Sequence, residues 1–276
     1  MAREASQVAE RVRAAEVIGA LCLATDLGMG FPFEHGLHTT LIAMRLADRL
    51  EVDPATASQT YYACLLSHSG CTTDAYVTAD IFGGALTRHF NPVMYGSTRE
   101  VFTGLLRALP DPESPTPVRA LQAARRLPRL ARERRPHFTA MCEVARMVAD
   151  GVGLPSTVQD HLAHLMARWD GRGPLGGAKG DEIPLPMRIV HVAVDAAFQR
   201  LLGDQEHVVR VVREHAGHGL DPQLAGCLAD NAAEILAIRG DASAWEETRA
   251  ASRVPTWCWR GRRSIVRLAP WAASPT

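Results

Sequence analysis

The 276-residue chain is 47% hydrophobic and balances 30 basic against 30 acidic residues. It is long enough to bury one large core or two small ones. Its neutrality excludes a global field that would gather nucleic acid or an anionic membrane surface. No apolar run approaches the roughly 20 residues of a bilayer span. The N-terminal stretch mixes charged and apolar residues like an amphipathic helix, unlike a cleaved leader. Six cysteines lie scattered without a repeated spacing, so the expectation is a cytoplasmic protein with reduced, mostly buried thiols. Lys179 is the sole lysine, a compositional sign of a GC-rich, bacterial coding sequence.

Apolar residues recur at three- and four-residue spacing in 7–23, 35–50, 56–68, 98–108, 117–133, 138–150, 156–168, 187–202, 205–215 and 223–238. That is the period of helices with one buried face. Start signals agree: Asp53 precedes Pro54, Asp221 precedes Pro222, and Pro155 opens the segment at 156. Alternating β-branched runs are absent from the sequence. The predicted fold is therefore all-α, one helical domain over 1–250 followed by an Arg/Trp-rich tail over 251–276.

Three interruptions stand out. Residues 109–118, LPDPESPTPV, form a proline-rich connector. Residues 125–135, RRLPRLARERR, set six arginines against Glu133, which is either a solvated helix face or a surface for an anionic partner. Residues 170–186, DGRGPLGGAKGDEIPLP, make a long Gly/Pro-rich loop between helices. The tail shows no helical period and reads as a docking arm, an unordered segment or the altered ending of a longer protein.

Histidines carry the candidate chemistry. His35 and His38 share a helical face, His68 closes a later helix, and His137 opens another. Imidazoles converging from several helices can hold Zn, Fe, Mn or Ni; singly, each reads equally as a hydrogen-bonded core residue. His68 and Cys71 are three apart, but one such pair without a second favours simple burial of Cys71. Neither a phosphate-binding P-loop nor a nucleophile elbow occurs, and the glycines at 171–180 follow no strand.

Trp169, Asp170, Gly171, Gly173, Gly180, Ile183, Pro184, Arg188 and Ile189 follow a W-D-G-x-G-Y-P, G-x-x-I-P, A-R-I pattern. This segment resembles the signature of HD-GYP domains, the helical metal-dependent phosphodiesterase branch of the HD superfamily. EHGLHTTLIAMRLADRLEVD and YYACLLSHSG look like that family's first histidine helix and its His-Asp helix, and MCEVARMVADGVGLP like the helix supplying the next histidine. The likeness covers about residues 20–240 and extends to the N-terminal half of actinobacterial HD-domain regulators.

The resemblance implies a dinuclear iron- or manganese-type centre that hydrolyses cyclic dinucleotides. Transferred by position, only His35 and His68 match. Ser69 stands for the aspartate, Met141 for the third histidine, Leu165 and Met166 for the paired histidines, and Val194 for the last aspartate, with Asp195 one residue on. The triplet's tyrosine is missing at Gly173-Pro174. Thioether and alkyl groups do not replace imidazole for a hard cation, and too little negative charge remains for two ions.

The sequence therefore predicts a catalytically degenerate pseudoenzyme with no cofactor and a regulatory, ligand-sensing or partner-docking role. The alternative is a metal-dependent phosphohydrolase with one divalent Fe, Mn or Zn on His35, His68 and His137, His137 lying one turn before Met141, with His38 or Asp195 as weaker ligands. Expected partners are a small molecule or another protein, self-association included. No helix-turn-helix with a basic recognition helix appears, so neither DNA nor a membrane is expected. Asp170 and Arg188 read as structural residues that orient the Gly-rich loop. That loop and the arginine face are the expected contact surfaces.

Overall fold

The computed structural model describes residues 14–72, 90–237, 243–252, 257–260 and 264–267. Its helices are α1 (Ala14–Met29), α2 (His35–Arg49), α3 (Pro54–Leu65), α4 (Thr98–Ala108), α5 (Thr116–Gly151) and α6 (Ser156–Leu162), followed by α7 (Leu185–Arg200), α8 (Gln205–His215), α9 (Pro222–Asp230), α10 (Ala232–Ile235) and α11 (Ala244–Ala251). The bundle is all-α, as the apolar periodicity predicts. Two four-residue strands, β1 (Trp257–Arg260) and β2 (Ser264–Arg267), pair antiparallel in the tail with Trp257 opposite Arg267. The remaining tail residues, and residues 7–13 of the first predicted helix, lie outside the described residues.

Helix α2 sits at the centre and packs on α1, α3, α7 and α11. Leu37, Ile42 and Leu46 of α2 meet Leu65 and Leu66 at the end of α3 and Met187 and Ile189 of α7 in one core. Being buried nearly all round, α2 must satisfy its polar groups internally. The hydroxyls of Thr39 and Thr40 donate to the carbonyls of His35 and Gly36 at 2.8 and 2.9 Å. Capping follows the sequence signals. Asp53 accepts from the N–H groups of Ala55 and Thr56, and Asp221 from those of Gln223 and Leu224.

Several boundaries differ from the periodicity, α1 for one running on to Met29 instead of ending at 23. The predicted break between 133 and 138 is absent, and α5 runs unbroken through Pro128 and Pro136. Each proline removes one helical bond, but both are exposed, so solvent meets the freed carbonyls. Helix α3 stops at Leu65, and α6 at Leu162, where three-residue bonds tighten the chain (His164 N–H to His161 O, 2.9 Å). His68 thus lies in a turn, not on a helix. The 223–238 segment breaks at Asn231, and α11 was not foreseen; Ser243 caps it through the N–H of Trp245 at 3.2 Å.

Main-chain bonds pin the Gly-rich loop. The N–H groups of Trp169 and Asp170 donate to the carbonyls of Gly219 and His218 at 3.0 and 2.8 Å, and Gly219 N–H donates to Tyr95 O at 2.8 Å. Asp170 binds the guanidinium of buried Arg168 at 2.8 Å. Arg188 bridges Asp181 and Asp221 at 2.8 and 2.9 Å and lies 5.8 Å above the Trp169 ring. Both residues thus orient the loop.

Candidate functional site

His35 opens α2 after Glu34, which adopts a left-handed conformation at φ 66°. The buried carboxylate of Asp26 on α1 accepts the N–H of Gly36 at 3.0 and 3.2 Å, seating this helix start. Burial pushes Asp26 up to about 6 although the Gly36 N–H favours its charged form. His68 follows α3, with Nδ1 3.2 Å from the hydroxyl of Ser67. The two imidazoles face one another at 6.1 Å, ring centre to ring centre.

Phenyl rings enclose this pair. Phe31 lies 5.0 Å from His35 and 5.2 Å from His68, while Phe198 lies 5.0 and 6.0 Å from them. Burial drives His35 down to about 3, helped by His68, His38 and Arg200, and drives His68 down to about 4. Both are therefore neutral at pH 7. Nε2 of His35 is buried without a hydrogen-bond partner among the described residues.

The substituted positions surround an adjoining space. Met141 (α5), Leu165 and Met166 (after α6) and Val194 (α7) line one cavity of about 180 Å³ together with His68. Ser69 takes no part in it, since its hydroxyl is buried and donates to the carbonyl of Leu66 at 2.7 Å. Cys71 is half-buried on the wall, and burial raises its thiol to about 12. Cys22, Cys64 and Cys142 are buried, Cys227 is half-buried, and all are free thiols. The side chain of Cys258 lies outside the described residues.

Two of the other candidates do not line this cavity. Asp195 does turn inward, but its carboxylate meets Nδ1 of His215 at 2.8 Å and the amide of Gln199 at 3.1 Å. Burial opposes a charged His215, yet the charge and hydrogen bond of Asp195 raise it above the usual imidazole range. His38 is half-buried on α2, apart from the cavity lining. His137 is on the cavity wall, 5.4 Å from the ring of Phe138. The structure therefore brings His35 and His68 together, adds His137 to the space that His68 lines, and joins Asp195 to His215. Among the described residues no three His, Cys, Asp or Glu side chains are grouped to hold a metal ion.

The donor set does not fit two hard cations. The groups acting electrostatically on His35 all disfavour positive charge, and no carboxylate is among them. Divalent ions of the Mg and Mn kind require oxygen ligands and neutralising charge, whereas here the surroundings are phenyl, thioether and alkyl. Sequence reasoning missed Phe31, Phe198, Arg168 and His215. A signal existed for the first, because Phe31-Pro32-Phe33 lies directly ahead of His35. Buried Arg168 donates to the carbonyls of Met94 and Gly96 and to Asp170, which no local pattern announces.

This HD-domain-like bundle has a counterpart among solved structures. The chain is similar to the crystal structure of a cyclic GMP-AMP specific phosphodiesterase of V. cholerae, V-cGAP3, with a TM-score of 0.62 and 19% identity. The match covers 88% of this chain and 54% of that one, so the chain spans about half its length. At this identity the likeness establishes the fold alone. No family model matches the chain, and no curated protein matches it. Among the described residues no helix is long and apolar enough to cross a membrane.

Proposed function

We propose that this chain is a catalytically degenerate HD-GYP-like domain that senses a small ligand rather than hydrolysing a cyclic dinucleotide. One observation carries this reading: Met141, Leu165, Met166 and Val194 line an apolar cavity beside His68. A metal-activated nucleophile requires ions that lower the pKa of bound water, and these side chains offer no donor for a hard cation. An apolar pocket with few polar groups is instead an ordinary small-molecule site. Elemental analysis after purification without chelator, and again after dialysis against Mn, Fe and Zn, tests the reading. Near-zero metal and no turnover of cyclic dinucleotides are expected; two ions per chain with turnover would overturn it.

A second reading rests on the buried, unpartnered Nε2 of His35, since a buried nitrogen without a hydrogen bond carries a cost that a ligand bond would relieve. His35 and His68, with His137, would then hold one divalent ion of a phosphohydrolase. One ion per chain, lost in the His35→Ala variant, would establish it in place of the first reading.

A further inference from the structure

The cavity is apolar inside and cationic at its edge. Phe90, Met94, Leu105, Leu130 and Phe138 complete the apolar wall. Four charged residues also line it: Glu133, Arg134, Arg168 and Arg172. Arg168 is buried and engaged by Asp170 at 2.8 Å, and Glu133 meets Arg132 at 3.3 Å. Arg134 and Arg172 line the cavity while being solvent-exposed, which puts them at its mouth. The Arg172 guanidinium donates to the hydroxyl of Thr98 at 2.9 Å, a neutral partner. Among the described residues, then, Arg134 has no carboxylate partner, and Arg172 feels only the carboxylate of Asp170, which Arg168 already engages, so the mouth keeps a net positive charge.

Size narrows the choice. An apolar cavity of roughly 150 Å³ holds one benzene ring, whereas pockets for drug-sized ligands run to roughly 300–1,000 Å³. At about 180 Å³ the space accepts one ring or a short acyl chain and is too small for a cyclic dinucleotide. Guanidinium pairs well with the planar carboxylate, in two parallel hydrogen bonds. We propose that the cavity binds a small apolar carboxylic acid, its ring or short chain among Met141, Leu165 and Val194 and its carboxylate at Arg134 and Arg172. This rests on the ligand-sensing reading above and gives that ligand a chemical class.

The test is calorimetric titration of the whole chain with 3-phenylpropionate and with its neutral analogue 3-phenylpropanol. One site per chain is expected, with the acid binding at least about ten-fold more tightly than the alcohol, as befits a charge-assisted pair. Arg134→Gln with Arg172→Gln, both surface changes, should erase that preference while leaving the melting temperature unchanged. Val101→Trp, at a half-buried position on the cavity wall, should abolish binding of both probes. Equal affinity for acid and alcohol overturns the carboxylate assignment, and binding that survives Val101→Trp overturns the location. No binding of either probe, in protein that also lacks metal and turnover, overturns this inference and leaves the non-hydrolytic reading standing. Two ions and turnover overturn that reading itself.

Discussion

The carboxylate of Asp195 meets Nδ1 of His215 at 2.8 Å, and both side chains are buried. A histidine whose pKa is raised by folding adds stability fully below its unfolded value of about 6.5 and loses it as pH climbs through the folded value. Removing one partner of a buried pair strands the other, at a cost of about 3–5 kcal/mol. Asp195→Ala should therefore lower the unfolding free energy by about that much at pH 6 and by less at pH 9, measured by urea denaturation at both. An equal loss at the two pH values would mean that His215 is uncharged in the folded protein.

His35, His68 and His191 pull the other way. Burial lowers them to about 3, 4 and 4, so between pH 6.5 and about 4 the unfolded chain takes up protons that the folded chain refuses. Stability should fall across that window by up to about 1.4 kcal/mol per pH unit for each histidine. His35→Phe with His68→Phe should flatten the decline and raise the melting temperature at pH 5. A melting curve as acid-sensitive as the parent's would contradict the buried, neutral assignment.

Gly70 touches the backbone of α5. A methyl group added there would lie 2.0 Å from the carbonyl oxygen of Met141, and the obstacle is main chain, which cannot rotate aside. Gly70→Ala should cost about 1–3 kcal/mol by overpacking, read as a lower urea midpoint. It should also weaken any ligand of the cavity, because Met141 lines that wall.

Arg168 holds three partners at once, the carbonyls of Met94 and Gly96 and the carboxylate of Asp170. Lysine lacks the planar fork that reaches them together. Arg168→Lys should destabilise by at least about 2 kcal/mol despite keeping the charge. A variant as stable as the parent would show that these contacts contribute nothing measurable to stability.

Helix periodicity was legible where packing dominates, and less so where the backbone chooses among near-equal options. Helix α2 and helices α4 and α8 follow the apolar spacing closely. Pro136 reads as a breaker in one dimension, yet its exposed position lets α5 continue. In the site, His35 and His68 lie 6.1 Å apart, ring centre to ring centre, and the apolar replacements face one space. The partner of Asp195 was not legible, because His215 lies 20 residues away on another helix and nothing local in either segment implies the other.

The Gly-rich loop is fastened to its neighbours largely through amide and carbonyl groups of residues 169, 170, 218, 219 and 95. Every non-proline residue carries such groups, whatever its side chain. The scaffold's shape is thereby written in a layer that substitution at Met141, Leu165, Met166 or Val194 does not edit. Those four side chains can change the chemistry of the cavity, and the loop beside it will still be standing where it was.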